Sequence, residues 1–259
     1  MRIGTRTSQL ALWQANHVRD GLLEHFPDLT VDLVHMTTSG DRILDKPLPE
    51  IGGKGLFTQE LEQALIAGQI DMAVHSLKDL PTDLPAEFSI GAILRRASPF
   101  DALISRGKCT LSTLPFGSVV GTSSLRRRAQ LLAFRPDVRT ESLRGNVDTR
   151  VRKALDPQGP YDAIVLAVAG LERLDRDEVI TEILSAEIML PAPGQGAVAV
   201  QCRADDHQTL ALLAVLDDIP TRQAVTAERA FLNQLDAGCR LPVSAYAQIE
   251  GNMLHLVGR

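Results

Sequence analysis

"LPAPGQGAV", Leu190 to Val198, sets two prolines and two glycines within six residues. Proline removes a backbone donor and glycine admits left-handed backbone, so the stretch interrupts regular structure and reads as a crossing between domains. "RRASPFDAL" (95–103), with Pro99, has the same character. Two crossings imply a domain near 97–194 inserted into another, which resumes with "AVAVQC" (197–202). The expected division is 1–96 with 195–216, then 97–194, then a third region at 217–259.

Around these crossings, short apolar runs alternate with helical patterns. Strands are predicted at 31–36, 71–77, 89–94, 101–105, 118–122, 162–168 and 197–202, and helices at 8–25, 56–67, 124–134, 146–155, 177–184 and 205–216. In the first helix Leu10, Leu12, Trp13, Val18, Leu22 and Leu23 fall mainly on one side. Alternation with continuously apolar strands predicts α/β architecture with mainly parallel, helix-covered sheets. Two lobes joined by paired crossings leave a cleft where strand ends and helix N-termini converge. In the third region, "TRQAVTAERAFLNQL" is helical and "YAQIEGNMLHLVG" reads as a hairpin around Glu250, Gly251 and Asn252. A domain of this size is thin for its own core, so it is expected to lean on the others or to be incomplete.

Composition narrows the function. The chain has 259 residues, formal net charge −5 and 4% aromatic residues, which argues against a nucleic-acid stacking platform. No apolar run approaches the roughly 20 residues of a membrane span, and "MRIGTRTSQLALWQ" lacks a signal-peptide core; a soluble cytoplasmic protein is expected. Cys109, Cys202 and Cys239 are odd in number and widely spaced, suiting neither a disulfide framework nor a zinc site, and no metal is predicted.

Against the acidic background, Val120 to Leu155 holds nine Lys or Arg and three acids. "GTSSLRRRAQ" (121–130) places three arginines at a helix start, where the macrodipole is already positive. Three readings stay open: a solvated helix face, a nucleic-acid site, or a site for a small polyanion. Hydroxyls and free N–H groups at the helix start, with Arg144 and Arg150 of "LRGNVDTR" at another, favour the last. "GGKGLF" (52–57) lacks P-loop spacing, and "GQGAVA" is followed by a strand, so neither is a nucleotide site. The first reads as a mobile loop, the second as a hinge. "DMAVHSLKDLP" (71–81) delivers Lys78 and Asp79 at a strand's carboxyl end, as an acid candidate or an ordinary turn; His75 reads as a core or supporting residue rather than a catalyst. In "DAGCRLP", Cys239 beside Arg240 is a nucleophile candidate or simply an unpaired thiol.

The blocks "ALWQA", "GGKGLF", "AVHSLKDLP", "GTSSLRRR", "LRGNVDTR", "DAIVLAVAGLERL", "LPAPGQGAVAV", "TAERAFL" and "GCRLP" run from the first ten residues to about Ala245. In this order they resemble the porphobilinogen deaminases, also called hydroxymethylbilane synthases. The resemblance implies a transferase of tetrapyrrole biosynthesis that joins four porphobilinogen molecules head to tail, with loss of ammonia, on a covalent dipyrromethane cofactor. Cys239 would carry that cofactor through a thioether, and Asp79 would be the catalytic acid. Lys78, Thr122, Ser124, Arg126 and Arg127 would hold cofactor carboxylates. Arg6, Ser8, Arg144, Arg150 and Arg173 would receive substrate or the elongating oligopyrrole, with Gln195 in the hinge. Lys54 and Phe57 would belong to a mobile cover.

The implied fold is α/β: two lobes like type II periplasmic-binding proteins, plus a small α+β C-terminal domain. Relatives continue several dozen residues past a point like Arg259, so this third domain is expected to be truncated, and they often carry a basic residue where Glu50 lies. The implied partners are porphobilinogen and oligopyrrole intermediates, acting on a monomer with no nucleic acid or membrane. The alternative is a non-enzymatic two-lobed protein that closes on a carboxylated small molecule.

Overall fold

The protein is described from a computed structural model that covers residues 1–42, 58–235 and 241–259. Two five-stranded sheets divide the chain at the two crossings. The first contains β1 (Arg2–Arg6), β2 (Asp32–Met36), β3 (Met72–Ser76), β4 (Phe88–Ile93) and β10 (Val198–Arg203), in the order β2-β1-β3-β10-β4. The second contains β5 (Asp101–Ser105), β6 (Val119–Gly121), β7 (Arg139–Glu141), β8 (Ala163–Ala167) and β9 (Glu182–Leu184), in the order β7-β6-β8-β5-β9.

In each sheet the strand that has just crossed from the other side takes the fourth place and runs against its neighbours: β10 is antiparallel to β3 and β4, and β5 to β8 and β9. The sheets are therefore mixed rather than mainly parallel at these positions. A strand that arrives from the opposite lobe enters from the end where the others finish.

Helices cover both faces. α1 (Gln9–His25) starts at Ser8, whose hydroxyl accepts from the Ala11 N–H, and buries Ala11, Gln14, Ala15, Val18 and Leu22 at helical spacing. Ala15, Val18 and Leu22 join Ile3, Val74, Val198 and Val200 in one core. α2 (Gln59–Ile66) closes the opposite face with Leu61, Ala64 and Leu65 against Ala73 and Phe88. In the second lobe α3 (Leu125–Phe134) and α4 (Val147–Leu155) do the same. Leu131 packs with Leu103 and Val120, while Val151 and Ala154 pack with Ala102 and Ile104, the period-two split of a strand buried on both sides.

The segment 177–184, expected to be helical, is a short 3-10 turn at Asp177–Val179 followed by β9. β-branched Ile180, Thr181 and Ile183 suit an edge strand, and β5 offers the open edge: Leu103 pairs with Glu182, and the Ser105 N–H donates to Thr181 Oγ1 at 3.0 Å. β1 and β7 went unpredicted because each is short and largely polar.

The two crossings run side by side. The Ala97 N–H donates to Gly196 O at 3.2 Å, and a Cβ on Gly196 (φ +89) would lie 2.6 Å from Ala97 O, so only glycine fits there. α6 (Ile219–Gln234) locks the pair through Glu228, which is fully buried. Its carboxylate accepts from Arg96 Nη1 (2.7 Å) and Nη2 (3.0 Å), from the Gly194 N–H (2.7 Å) and from the Ala247 N–H (2.8 Å). The last contact ties in the hairpin β11 (Ala245–Glu250) and β12 (Met253–Gly258), whose turn holds Gly251 at φ +60. Ala245 and Ala247 of β11 are buried, whereas Met253, Leu254, Leu256 and Val257 of β12 are exposed.

Candidate active site

Gln195 lies between the lobes and bonds to both. Its side-chain carbonyl accepts from Lys78 Nζ at 3.2 Å, and its amide nitrogen donates to Pro99 O at 2.7 Å and Asp101 Oδ1 at 3.0 Å. Asp101, the first residue of β5, is fully buried. It accepts from Arg126 Nη2 at 2.8 Å and from Arg127 Nη2 and Nε at 2.7 and 3.1 Å. The remaining arms are also tied, Arg126 Nη1 to Leu190 O at 2.6 Å and Arg127 Nη1 to Val165 O at 3.0 Å.

This explains how three arginines tolerate a helix start. Ser124 caps α3 by accepting from the Arg127 N–H, Thr122 Oγ1 accepts from the Ser124 N–H, and the first two arginines of the run turn inward onto Asp101. Burial works against the Asp101 carboxylate, but Arg126 and Arg127 outweigh it and hold the group well below the ordinary carboxylate range. Burial pushes Arg126 down, opposed by Asp101. The counter-charge expected from a ligand is thus supplied in part by the protein itself.

Asp101 is the residue of this centre that sequence reading missed. Its signal was an acid opening an otherwise apolar strand, "DALIS", immediately after a crossing. A charge buried at that place requires cations nearby.

The other cations crowd the same space. Burial, with repulsion from Arg127, lowers the Lys78 ammonium to about 8 against the pull of Asp79 and Asp101. Arg150, on α4, is lowered to about 10 by burial and by Arg127 and Arg144, while Asp79 favours its charge. Arg173 follows α5 (Val168–Glu172) and reaches back to the first lobe. It donates to Gly196 O at 2.7 Å and stacks over Trp13 at 5.4 Å, with Nε buried and without a hydrogen-bond partner. Burial lowers it to about 10.

Asp79 closes a 3-10 turn, Leu77–Asp79, after β3 and is exposed. It borders a cavity of about 80 Å³ at the start of α1, which Arg6 and Ser8 also line. A larger open depression, about 510 Å³, lies on α4 around Asp148 and Arg176 and shares no residue with this centre.

The structure therefore brings Lys78, Gln195, Arg126 and Arg127 into one bonded network, with Asp79, Arg144 and Arg150 within electrostatic reach. Arg6 and Ser8 lie on the first lobe beside Asp79, and Arg173 bridges the lobes at Trp13. Lys54, Phe57 and Cys239 lie outside the described residues. Among the described residues no group of three His, Cys, Asp or Glu could hold a metal ion, and no helix is long and apolar enough to cross a membrane.

Solved structures share this architecture at low identity. A double mutant of the BvgS VFT2 domain from Bordetella pertussis matches 89% of this chain and 92% of its own, with TM-score 0.50 and 12% identity. Immunogenic lipoprotein A from Vibrio vulnificus matches 88% and 99%, with TM-score 0.50 and 11% identity. These likenesses show the fold alone, a two-lobed arrangement of the type II periplasmic-binding-protein kind with a small C-terminal domain added. Sequence similarity reaches further. The family described as "Porphobilinogen deaminase, dipyromethane cofactor binding domain" matches residues 1–211, and "Porphobilinogen deaminase, C-terminal domain" matches residues 222–259. The porphobilinogen deaminase of Brevibacillus brevis is 54% identical over 258 residues, covering 99% of this chain and 83% of that protein. That of Xanthomonas campestris is 56% identical over 258 residues, covering 100% and 84%. With the arginine-rich cleft, the crossing glutamine and the Asp79 turn all in matched sequence, this chain belongs to the porphobilinogen deaminase family.

Proposed function

We propose that the chain condenses four porphobilinogen molecules head to tail, releasing ammonia at each addition and hydroxymethylbilane at the end, with Asp79 bearing the cationic charge that develops. The observation that carries this reading is the placement of one exposed carboxylate at the edge of a cluster of cations from both lobes. Its lobes are assigned as 1–96 with 195–216, and 97–194, with 217–259 as the third domain; membership of the two sheets supports the first two.

A dipyrromethane joined to Cys239 supplies, when bound, the nucleophilic pyrrole carbon to which substrate adds. The residues present fit such a polycarboxylate. Among the described residues, the charges that bear on Lys78 and Arg150 are the cations Arg126, Arg127 and Arg144 against the carboxylates Asp79 and Asp101, leaving positive charge in excess. The Ser124 hydroxyl accepts the α3 cap bond and keeps its own hydrogen to donate. Lys78, Thr122, Ser124, Arg126 and Arg127 would hold the cofactor's carboxylates. Arg126 and Arg127 do so as a floor already fixed by Asp101, so little reorganisation opposes binding. Arg6, Ser8, Arg144, Arg150 and Arg173 receive the acetate and propionate of substrate. Gln195 holds Lys78 at its distance from Asp101.

When the aminomethyl C–N bond of porphobilinogen breaks, the electron pair leaves with nitrogen and positive charge appears on the ring. The Asp79 carboxylate accepts the hydrogen bond of the ring N–H and stabilises that charge; being exposed, it can also pass a proton to water. Lys78 has the wrong sign for this role and anchors carboxylates instead.

Intact-protein mass with peptide mapping, followed by incubation with porphobilinogen, tests the reading. The adduct is expected on Cys239 and absent from Cys239→Ser. A protein with no adduct that releases no ammonia would be a binding protein. Action on free porphobilinogen as a cytoplasmic monomer belongs to the same proposal and is checked by cell fractionation and light scattering.

A further inference from the structure

The small cavity beside Asp79 has a chemistry that carboxylate recognition does not use. At about 80 Å³ it has room for two or three water-sized groups. Its wall includes Thr58 and His75, which are 1% and 6% exposed.

Thr58 Oγ1 is buried and has no hydrogen-bond partner. An orphaned hydroxyl of this kind costs free energy unless something arrives to bond it. His75 is fixed from behind. Its Nε2 lies 3.0 Å from Gln201 Oε1, and Gln201 Nε2 donates to Glu62 Oε1 at 3.2 Å. Because the Glu62 carboxylate only accepts, it orients the Gln201 amide, which in turn makes Nε2 the protonated ring nitrogen. Nδ1 is left as a bare acceptor. Burial and the nearby Arg6 lower His75 to about 4, so the ring stays neutral.

Positive potential from Arg6 and from the N-terminus of α1 bears on the same space. Asp79 on the same wall opposes that potential and admits an ammonium, and the neutral ammonia left once the charge has gone, with three N–H donors, is well matched to the acceptors there.

We infer that this cavity seats the aminomethyl nitrogen of porphobilinogen and takes the ammonia it becomes, with His75 Nδ1 and Thr58 Oγ1 as its hydrogen-bond partners. The inference rests on the proposed reaction and deepens it. The group enters as an ammonium. On C–N cleavage both bonding electrons go to nitrogen, so neutral ammonia forms and the positive charge passes to the ring. Charge thus moves away from Arg6 and the helix terminus towards Asp79, a direction the local field favours. The Thr58 hydroxyl accepts from the ammonium and can then donate to the lone pair that cleavage creates. His75, neutral throughout, accepts in both states.

The test compares porphobilinogen with its counterpart carrying hydroxymethyl in place of aminomethyl, a leaving group with one donor instead of three. For the cofactor-loaded holoenzyme, the ratio of the two kcat/KM values is expected to fall roughly three- to tenfold in Thr58→Val and in His75→Leu, the range of one neutral hydrogen bond. Thr58→Ser, which keeps the hydroxyl, should retain the wild-type ratio. Intact mass reports cofactor loading separately. Equal losses on both substrates would assign Thr58 and His75 a purely structural role and overturn the inference, as would an unchanged ratio in both variants. Failure of the cofactor-loaded wild type on porphobilinogen would instead overturn the proposed reaction itself.

Discussion

The two lobes are built on one plan and use their polar residues in opposite ways. β1 leads into α1 through Ser8, and β6 leads into α3 through Ser124, each serine capping its helix at the same point of the sheet order. In the second lobe that point is loaded with charge, and two guanidinium groups are buried against Asp101. In the first lobe buried His75 and Gln201, with half-buried Glu62, form a relay that ends in a neutral ring, and Asp79 is left exposed. The difference separates holding from reacting. In the proposed reaction, a fixed and partly neutralised arginine floor would bind carboxylates without rearranging, whereas a carboxylate near water could meet a charge that appears and disappears in each cycle. Gln195 joins the two, bonding Lys78 of one lobe and Asp101 of the other.

The comparison breaks most readily at Asp101. Asp101→Asn leaves two buried guanidinium groups without a counter-charge, and the expected loss is about 3–5 kcal/mol of stability, read from urea unfolding. An unshifted midpoint would mean that the floor is not held by this carboxylate. Asp79→Asn should leave the unfolding midpoint in place and keep the cofactor, yet lower turnover roughly 100-fold. Near-normal turnover would move the cation-bearing role to another group.

Next in size is the division among the arginines. Loss of one charge-assisted carboxylate contact costs about 1.5–3 kcal/mol at the stage it serves. Arg150→Leu should retain the cofactor and stall elongation, while Arg127→Leu should impair loading. Identical distributions of enzyme-bound pyrrole intermediates in the two variants would erase the distinction.

The smallest effect concerns Lys78, lowered to about 8. Its folded-state value lies below the unfolded one, so burying its charge opposes folding below about pH 8. That opposition fades as pH rises through this value towards the unfolded lysine range. Cofactor holding runs the other way: the ammonium proposed to anchor the cofactor's carboxylates is lost over the same rise. Cofactor loading of the apoenzyme, read by intact mass, should fall above about pH 8, and Lys78→Arg should flatten the fall. Loading by the wild type that stays flat from pH 7 to 9 would remove Lys78 from the cofactor-holding set.

Much of this arrangement was legible in the chain itself, because its signals are local. Proline and glycine marked both crossings, apolar runs marked the buried strands, and "SLKDLP" placed Asp79 at a strand end. What escaped depends on partners far away in sequence. β9 exists because β5 offers it an edge, and Asp101 is tolerable only beside arginines 25 and 26 residues further on. His75 owes its tautomer to Gln201, 126 residues away. The orphaned Thr58 hydroxyl has no sequence signature, since nothing in a threonine's neighbours predicts a missing partner.

The fourth place in the first sheet also sets an order of events during synthesis. β3 and β4 are neighbours in sequence but not in the sheet, and the slot between them is filled only by β10. On the ribosome β10 emerges after every strand of the second lobe, about 5–20 s later than β4 at ordinary elongation rates. Until then the nascent first lobe presents two unpaired strand edges, a condition that invites aggregation. The second lobe, contiguous from β5 to β9, has no such wait and should close first, against the usual N-terminal-first order. Ribosome-stalled chains that end before β10 should therefore resist protease in the second lobe and be cut in the first.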